Sequence, residues 1–354
     1  MSQLEGALDG TVSWIEDRGR RVPQSFGDPL TELGRLEAMA AVVDLTHMAW
    51  VRVSGAERTA FLSGLITQQI RKATPERAIY AGMLTPQGRF LWDFTLVDHD
   101  EGYRLITEPD RAAQLADRLF FYLLRTKAKV EAPRPGEGLL ALAGPEAATV
   151  LGGLWPALAD DLLRAERGDA FTPESGMKVW RDPRHVSCGW RLLAPSSRLP
   201  TLWNALASAP GCAPAGWTAW EHHRIRHAIP RAGAELLPEE TIPTEAGFVE
   251  LNAVDFGKGC YVGQETIART HHRGTLKHHL YRLTFHDSQE APRVGAEVQL
   301  PSGKAAGRVS SVSRIGGESI GLAVLRDADV ESGHPLTAEG VSLTVQRPEW
   351  MTGG

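Results

Sequence analysis

The residues best suited to chemistry stand together in one octet: Lys258, Gly259, Cys260, Tyr261, Val262, Gly263, Gln264 and Glu265. Glycines at 257, 259 and 263 allow positive φ values and a close approach of the backbone to a ligand or another segment. Cys260 lies just before residues that can begin a helix, and a helix N-terminus and a cation such as Lys258 both stabilise a thiolate. The octet favours a reactive thiol over the alternative, a glycine-rich turn around a small buried cysteine.

Histidines suggest a competing site. Seven of the twelve lie between residues 222 and 279, and His223 and His227 are four residues apart on a predicted helix over 217–228. That spacing lets two imidazoles share a metal ion. No third ligand stands at a diagnostic spacing, and a polar helix face explains the pair equally well. We therefore predict no metal site.

The octet and the basic residue Arg269 resemble the signature of the YgfZ family of folate-binding proteins, relatives of the T-protein of the glycine cleavage system. Other segments match as well: Asp44 to Met48, Arg224 and Ile225, Ile229 and Pro230, Ile242 to Glu245, Arg273 and Gly274, and Lys277. The similarity covers roughly residues 30 to 345.

The resemblance implies an α+β fold, a T-protein-like cloverleaf of ferredoxin-like α+β domains around a central folate channel, with a small C-terminal β-barrel. Local patterns agree with it. A turn at 85–88 separates two strand-like runs, and residues 294 to 348 are short alternating runs divided by glycine and proline. Ser54 and Glu57 have capping-box spacing before a helix. We predict a loosely ordered lead-in over 1–30, a folate-binding region of two subdomains over 31–280 with the motif loop at 257–269, and the barrel over 281–354.

The resemblance also implies a function. The YgfZ branch is associated with assembly or repair of iron–sulfur clusters, with folate bound and the motif cysteine central, and it supports tRNA modification indirectly through iron–sulfur enzymes. By analogy Cys260 is the ligand or acceptor and Lys258 its electrostatic support. The predicted cofactor is tetrahydrofolate or a folate derivative, with binding residues Tyr261, Gly263, Gln264, Glu265, Arg269, Arg224 and Glu245. We expect a monomeric accessory protein that meets iron–sulfur clients or cluster-assembly factors, not a classical enzyme.

The main alternative is a folate-dependent aminomethyltransferase. T-proteins carry two adjacent acids after the hairpin turn, and the corresponding residues here are Trp92 and Asp93, so Asp93 is the candidate catalytic acid. Strand parity directs Asp93 away from the face of its aromatic neighbours, toward a channel or toward solvent. The glutamate that binds the pterin in T-proteins corresponds to Arg226, which has no acceptor. Glu221 or Glu245 is then the candidate substitute.

Net charge, cysteine count and hydropathy argue against several other classes of protein. The basic residues Arg269, Arg273, Lys277 and Arg282 could meet phosphates or a polyglutamate tail, yet a net charge of -5 gives no general attraction to nucleic acid. Direct RNA binding is the weaker alternative. Three cysteines without a C-x-x-C predict neither a disulfide framework nor a four-cysteine cluster. No apolar run suits a membrane span, and the N-terminus lacks signal-peptide features, so we expect a cytoplasmic protein.

Overall fold

The computed structural model describes residues 3–8, 12–274, 276–286 and 291–351, without the side chains of residues 7 and 271–273. Strands β1 (Ser13–Asp17) and β2 (Arg20–Ser25) form an antiparallel hairpin, followed by helix α1 (Pro29–Ala38). The hairpin is tied to α1 by buried Glu32, whose carboxylate accepts hydrogen bonds from Ser25 Oγ at 2.9 Å and Phe26 N at 2.7 Å. The prediction of a loosely ordered lead-in is therefore wrong for the hairpin, because a buried carboxylate fixes it to the domain.

The next elements along the chain are β3 (Ala40–Asp44), β4 (Ala49–Ser54), α2 (Arg58–Ser63), β5 (Ile79–Leu84), β6 (Phe90–His99), β7 (Gly102–Thr107), α3 (Ala112–Leu123) and β8 (Lys129–Glu131). One sheet has the order β5-β6-β7-β4-β8. Its β5–β6 hairpin turns where predicted, with Gly88 N donating to Thr85 O at 2.9 Å. The predicted capping box does not form, because the Glu57 carboxylate instead accepts from Lys127 N at 2.7 Å.

A second sheet, of six strands, has the order β10-β11-β12-β9-β3-β13. Its remaining elements are β9 (Glu137–Ala143), α4 (Ala147–Leu154), α5 (Ala159–Arg164), β10 (Ala170–Phe171), β11 (Lys178–Arg181), β12 (Trp190–Pro195), α6 (Leu199–Ala207), β13 (Cys212–Pro214) and α7 (Trp217–Arg226). Strand β3 is buried along its whole length, and α7 packs against α1 and against strands of both halves of the chain. Helix α7 therefore brings its side chains to the centre of the molecule.

The C-terminal elements are α8 (Gln264–Arg273), β14 (His278–Phe285), β15 (Glu297–Gln299), β16 (Ala305–Ile315), β17 (Glu318–Arg326), α9 (Asp327–Glu331), β18 (Leu336–Ala338) and β19 (Val341–Gln346). The six strands close into a barrel in the order β14-β17-β16-β15-β18-β19. The α+β class and the small barrel are thus confirmed. Strand β14 begins at His278, so the predicted division at residue 280 falls near its start.

Candidate functional site

The motif loop exposes its thiol and buries two side chains close to it. Lys258 and Tyr261 are buried, whereas Cys260 is exposed. The other two thiols differ from it. Burial raises the pKa of the Cys188 thiol to about 11, and burial likewise raises the pKa of Cys212 to about 11. Cys260 is therefore the cysteine that a large partner or a metal-sulfur species can reach.

Lys258 anchors the front of the loop. Its Nζ donates to Ser63 O, at the end of α2, at 2.8 Å and to Ile66 O, three residues beyond that end. The same Nζ lies 4.8 Å from the centre of the Tyr261 ring. A cation at a helix C-terminus is favourable, because the last carbonyls carry partial negative charge. Desolvation lowers the pKa of Lys258 to about 8. This geometry assigns Lys258 to loop anchoring, and its support of the thiolate stays a prediction.

Gly263 anchors the back of the loop. It has a φ of +83°, and a Cβ placed there would lie 2.5 Å from Thr85 O, so only glycine fits. Helix α8 begins at the next residue, as predicted, and Gln264 Oε1 accepts from Tyr261 N at 3.3 Å. Thr266 Oγ1 donates to Gln87 O at 2.8 Å, which joins α8 to the β5–β6 turn. The loop is thus held between α2 and that turn.

Two of the predicted loop features differ from expectation. Among the three loop glycines, only Gly263 has a positive φ. A Cβ would have open space at Gly259 and would meet only the Asp255 carboxylate, at 3.3 Å, at Gly257, so neither position requires glycine. Glu265 and Arg269 are both exposed on α8. The side chain of Arg273 lies outside the described residues.

A separate cavity lies where the two sheets meet α7. Its walls include Asp93 from β6, Trp180 from β11, Trp217, Glu221 and Arg224 from α7, and Arg231 from the segment after α7. No residue of the motif octet lines this cavity. The structure therefore separates the thiol from the cavity, and of the predicted site residues it brings Asp93 and Arg224 to the cavity wall.

Asp93 faces the cavity and not the solvent. Tyr80 Oη donates to Asp93 Oδ2 at 2.8 Å, and desolvation raises the pKa of the Asp93 carboxyl. Of the two environments that strand parity allowed, the structure selects the channel. A carboxyl group with a raised pKa beside a buried hydroxyl can hold or accept a proton near a ligand.

The residues considered for the pterin acid, Arg226, Glu221 and Glu245, lie in different parts of the structure. Arg226 turns away and pairs with Glu318, while Glu245 lies 3.3 Å from His278 Nδ1, away from the cavity. Glu221 lines the cavity and accepts from Arg224 Nε at 3.0 and 3.1 Å. Of the two candidate substitutes, Glu221 is the one at the cavity wall. The predicted binding role of Glu245 has no support from its position.

Arg224 is held by acceptors on every side. Besides Glu221, its guanidinium donates to Ile229 O at 2.6 Å, to Glu235 at 3.2 Å and to Ser311 Oγ at 2.9 Å. Ser311 lies on barrel strand β16, so this arginine joins the barrel to α7. All three of its nitrogens are engaged, which makes Arg224 a positioning residue for Glu221.

Sequence reasoning missed a buried ion cluster in the cavity wall. Asp182 is completely buried. Its carboxylate accepts hydrogen bonds from Arg184 Nε at 3.0 Å and from Arg184 Nη2 at 2.9 Å. The same carboxylate forms an ion pair with Arg191 Nη2 at 3.0 Å. Arg184 also lies over the Tyr80 ring, 5.6 Å from its centre. The available signal in the sequence was the presence of three charged residues, Asp182, Arg184 and Arg191, in a segment whose apolar pattern predicts strands.

The residues present fit the pterin head of a folate. Asp93 and Glu221 offer acceptors for its N–H and amino groups, and buried Trp180 Nε1 has no hydrogen-bond acceptor among the described residues, so it is a donor for the pterin carbonyl. The cavity admits the centres of water-sized molecules over about 100 Å³. Ligand pockets usually have roughly 300–1,000 Å³, so the rest of the cofactor would extend through the mouth.

Comparisons with known proteins agree with this architecture. Residues 14–255 match the GCVT N-terminal domain family and residues 279–353 match the CAF17 C-terminal beta-barrel domain. A crystal structure of the glycine cleavage system aminomethyltransferase T from Bartonella henselae superposes with a TM-score of 0.78 at 19% identity, over 98% of this chain and 95% of that one. Among the described helices, none has the length and apolar character needed to cross a bilayer.

Closer relatives are found among assembly factors. The iron-sulfur cluster assembly factor IBA57, mitochondrial, of Homo sapiens is 30% identical over 328 residues, which cover 85% of this chain and 82% of the relative. The corresponding homolog of Coccidioides immitis is 29% identical, over 81% of this chain and 71% of the relative. With its GCVT-type body and CAF17-type barrel, this chain belongs to the family of the iron–sulfur cluster assembly factor IBA57.

Proposed function

We propose that this chain is a folate-binding accessory protein for the assembly or repair of iron–sulfur clusters, in which Cys260 handles iron or sulfur as cargo. One observation carries the proposal: an exposed thiol lies on a loop anchored at both ends, in a relative of named assembly factors. Thiolate is the normal protein ligand of iron in such clusters.

The chain supplies one reachable thiol, which limits what it does alone. Clusters are held by four protein ligands, and the other two cysteines have strongly raised pKa values. Cys260 therefore acts together with ligands from a client protein or a cluster-assembly factor. The anchors at Lys258 and Gly263 hold its Sγ at the surface, where such a partner can share it.

Tetrahydrofolate is the proposed cofactor of the cavity. Asp93 and Glu221 would accept hydrogen bonds from the pterin, and the tryptophans beside them would cover its ring faces. Folate bound there would supply a one-carbon carrier. Since neither the octet nor Arg269 lines the cavity, the predicted folate contacts of Tyr261, Gly263, Gln264, Glu265 and Arg269 are not part of this proposal.

Calorimetry of tetrahydrofolate binding tests the cavity. Replacing Asp93→Asn should weaken binding at least tenfold, about 1.4 kcal/mol, because an amide group presents a donor where the pterin also donates. Asp98→Asn is the matched control on the same strand, outside the cavity. Equal affinities of the wild type and Asp93→Asn would contradict folate binding at this wall.

Removal of the protein from cells tests the function. Enzymes that contain iron–sulfur clusters should lose activity, and the wild-type chain should restore it, while glycine cleavage activity stays unchanged. Modification of tRNA by iron–sulfur enzymes should fall with them. Unchanged iron–sulfur enzymes would refute the assembly role, and loss of glycine cleavage would favour the second candidate.

That second candidate is a folate-dependent aminomethyltransferase, favoured by the burial of Asp93 beside Tyr80 at the cavity. Direct tRNA binding is weaker, because Arg282 already donates to Arg226 O and to Gln346. The cytoplasmic location and the monomeric state stay predictions.

A further inference from the structure

A cluster of three side chains lies between the ends of two helices. Glu37 is in the last turn of α1, His223 is in the last turn of α7, and His227 caps α7. Glu37 Oε1 lies 2.8 Å from His223 Nδ1 and 3.7 Å from His227 Nε2. The three atoms all lie within 4.8 Å of one another. The third ligand that the sequence did not offer is thus brought from a helix almost two hundred residues away.

The hydrogen bond on the far side of His223 fixes its tautomer. His223 Nε2 lies 2.9 Å from Ser187 O, and a carbonyl oxygen only accepts, so Nε2 carries the hydrogen. In the neutral imidazole, Nδ1 then presents a lone pair to the Glu37 carboxylate. Two lone pairs at this distance repel unless a positive charge lies between them, which either a proton on Nδ1 or a metal ion supplies. Metal-binding histidines characteristically donate their second N–H to a backbone carbonyl in this way.

The surroundings leave the cluster accessible to solvent and place one guanidinium beside it. Arg226 Nη1 forms a long ion pair with Glu37 Oε1 at 3.5 Å, and its Nη2 pairs with Glu318, so a metal ion on Oε1 would displace the longer of these two pairs. His185 lies beside His227, with ring centres 6.2 Å apart, and its Nδ1 already accepts from Ser187 N. The side chains of Glu37 and His227 are 29% and 31% exposed, so an ion can enter from solvent.

We propose that Glu37 Oε1, His223 Nδ1 and His227 Nε2 bind one divalent transition metal ion, with zinc as the best fit, and leave a fourth coordination position open. Two imidazoles and a carboxylate are one of the donor sets of three-ligand zinc sites. The same set binds iron(II) in sites with several open positions, so iron(II) is the second metal to titrate. Zinc–ligand bonds of about 2.0–2.1 Å place tetrahedral ligand atoms about 3.3 Å apart, so the observed spacings need only small side-chain shifts.

A second cluster of metal-binding residue types is a poorer candidate for a metal site. His99, Asp100 and Glu137 also meet, but they include one imidazole, and both oxygens of Glu137 accept from Arg104 at 3.0 and 3.1 Å. A carboxylate used by a guanidinium on both oxygens is a poor ligand. The proposal is therefore confined to the site on α1 and α7.

Titration of the metal-free full chain with zinc tests the proposal, in a Cys260→Ser background that removes the exposed thiol. One ion per chain should bind with a Kd below about 10 µM, and Glu37→Gln and His227→Ala should each weaken binding at least tenfold. Cobalt(II) should give the strong visible bands of a four-coordinate site. Glu245→Gln, which alters another glutamate–histidine pair, is the matched control and should leave the affinity unchanged.

Both ligand variants alter partly exposed side chains, and thermal unfolding of each would show that the fold is retained. If His223→Ala fails to fold, Glu37→Gln and His227→Ala still show whether these side chains bind zinc. Zinc binding that is absent in the parent chain, or equal in the parent and in Glu37→Gln, would overturn the proposal.

Discussion

Replacing Cys260 by serine should abolish the support of iron–sulfur enzymes in cells while leaving the folded chain and its folate affinity unchanged. The thiol is exposed, and the main contacts of its loop are made by Lys258, Gly263 and Gln264, so an isosteric hydroxyl disturbs no packing. A hydroxyl is not a soft ligand for iron and does not accept sulfur. The enzyme activity should therefore fall to that of cells without the protein.

The measurement is complementation of cells that lack the chain, with activity of a cluster-containing enzyme as the readout. Cys212→Ser is the matched control, since it makes the same chemical change at a thiol with a raised pKa. Tetrahydrofolate calorimetry on Cys260→Ser should match the wild type. Full complementation by Cys260→Ser would remove Cys260 from the mechanism, while the role of the chain in iron–sulfur assembly would still stand.

Replacing Asp182 by asparagine should lower the free energy of unfolding by about 3–5 kcal/mol, the cost of leaving buried cations without their partner. The Asp182 carboxylate is the shared acceptor of Arg184 and Arg191, and its side chain is fully buried. Urea unfolding of the two proteins measures the difference. Glu297→Gln, in the exposed pair with Arg308, should cost less than about 1 kcal/mol.

The same ion cluster gives a pH dependence. Although burial alone would raise it, the pKa of Asp182 is lowered to about 2 by the charges of Arg184 and Arg191 and by the hydrogen bonds of Arg184. A depressed carboxyl pKa contributes stability that is complete above the unfolded value of about 3.8 and is lost as the pH falls toward 2. The difference between wild type and Asp182→Asn should be constant from about pH 5 to 8 and shrink below about pH 4. A constant difference down to pH 2 would contradict this origin.

Local patterns predicted the elements that depend on neighbouring residues. The β5–β6 hairpin, the start of α8 at Gln264 and the strands of the barrel follow from alternation, glycine placement and turn residues, which act over a few positions. The capping box at Ser54 failed for the complementary reason. A backbone N–H from Lys127, far along the chain, took the Glu57 carboxylate.

The sequence by itself determined the fold class, the barrel and the octet around Cys260, because the turn residues and motif that identify them are contiguous. Tertiary structure decided which charges meet: Asp93 with Tyr80, Glu221 in place of Glu245 at the cavity, and Glu37 with His223. A side chain's partner, burial and pKa depend on segments that converge only when sheets and α7 pack together. Residue type and local spacing do not predict which of these distant segments come into contact.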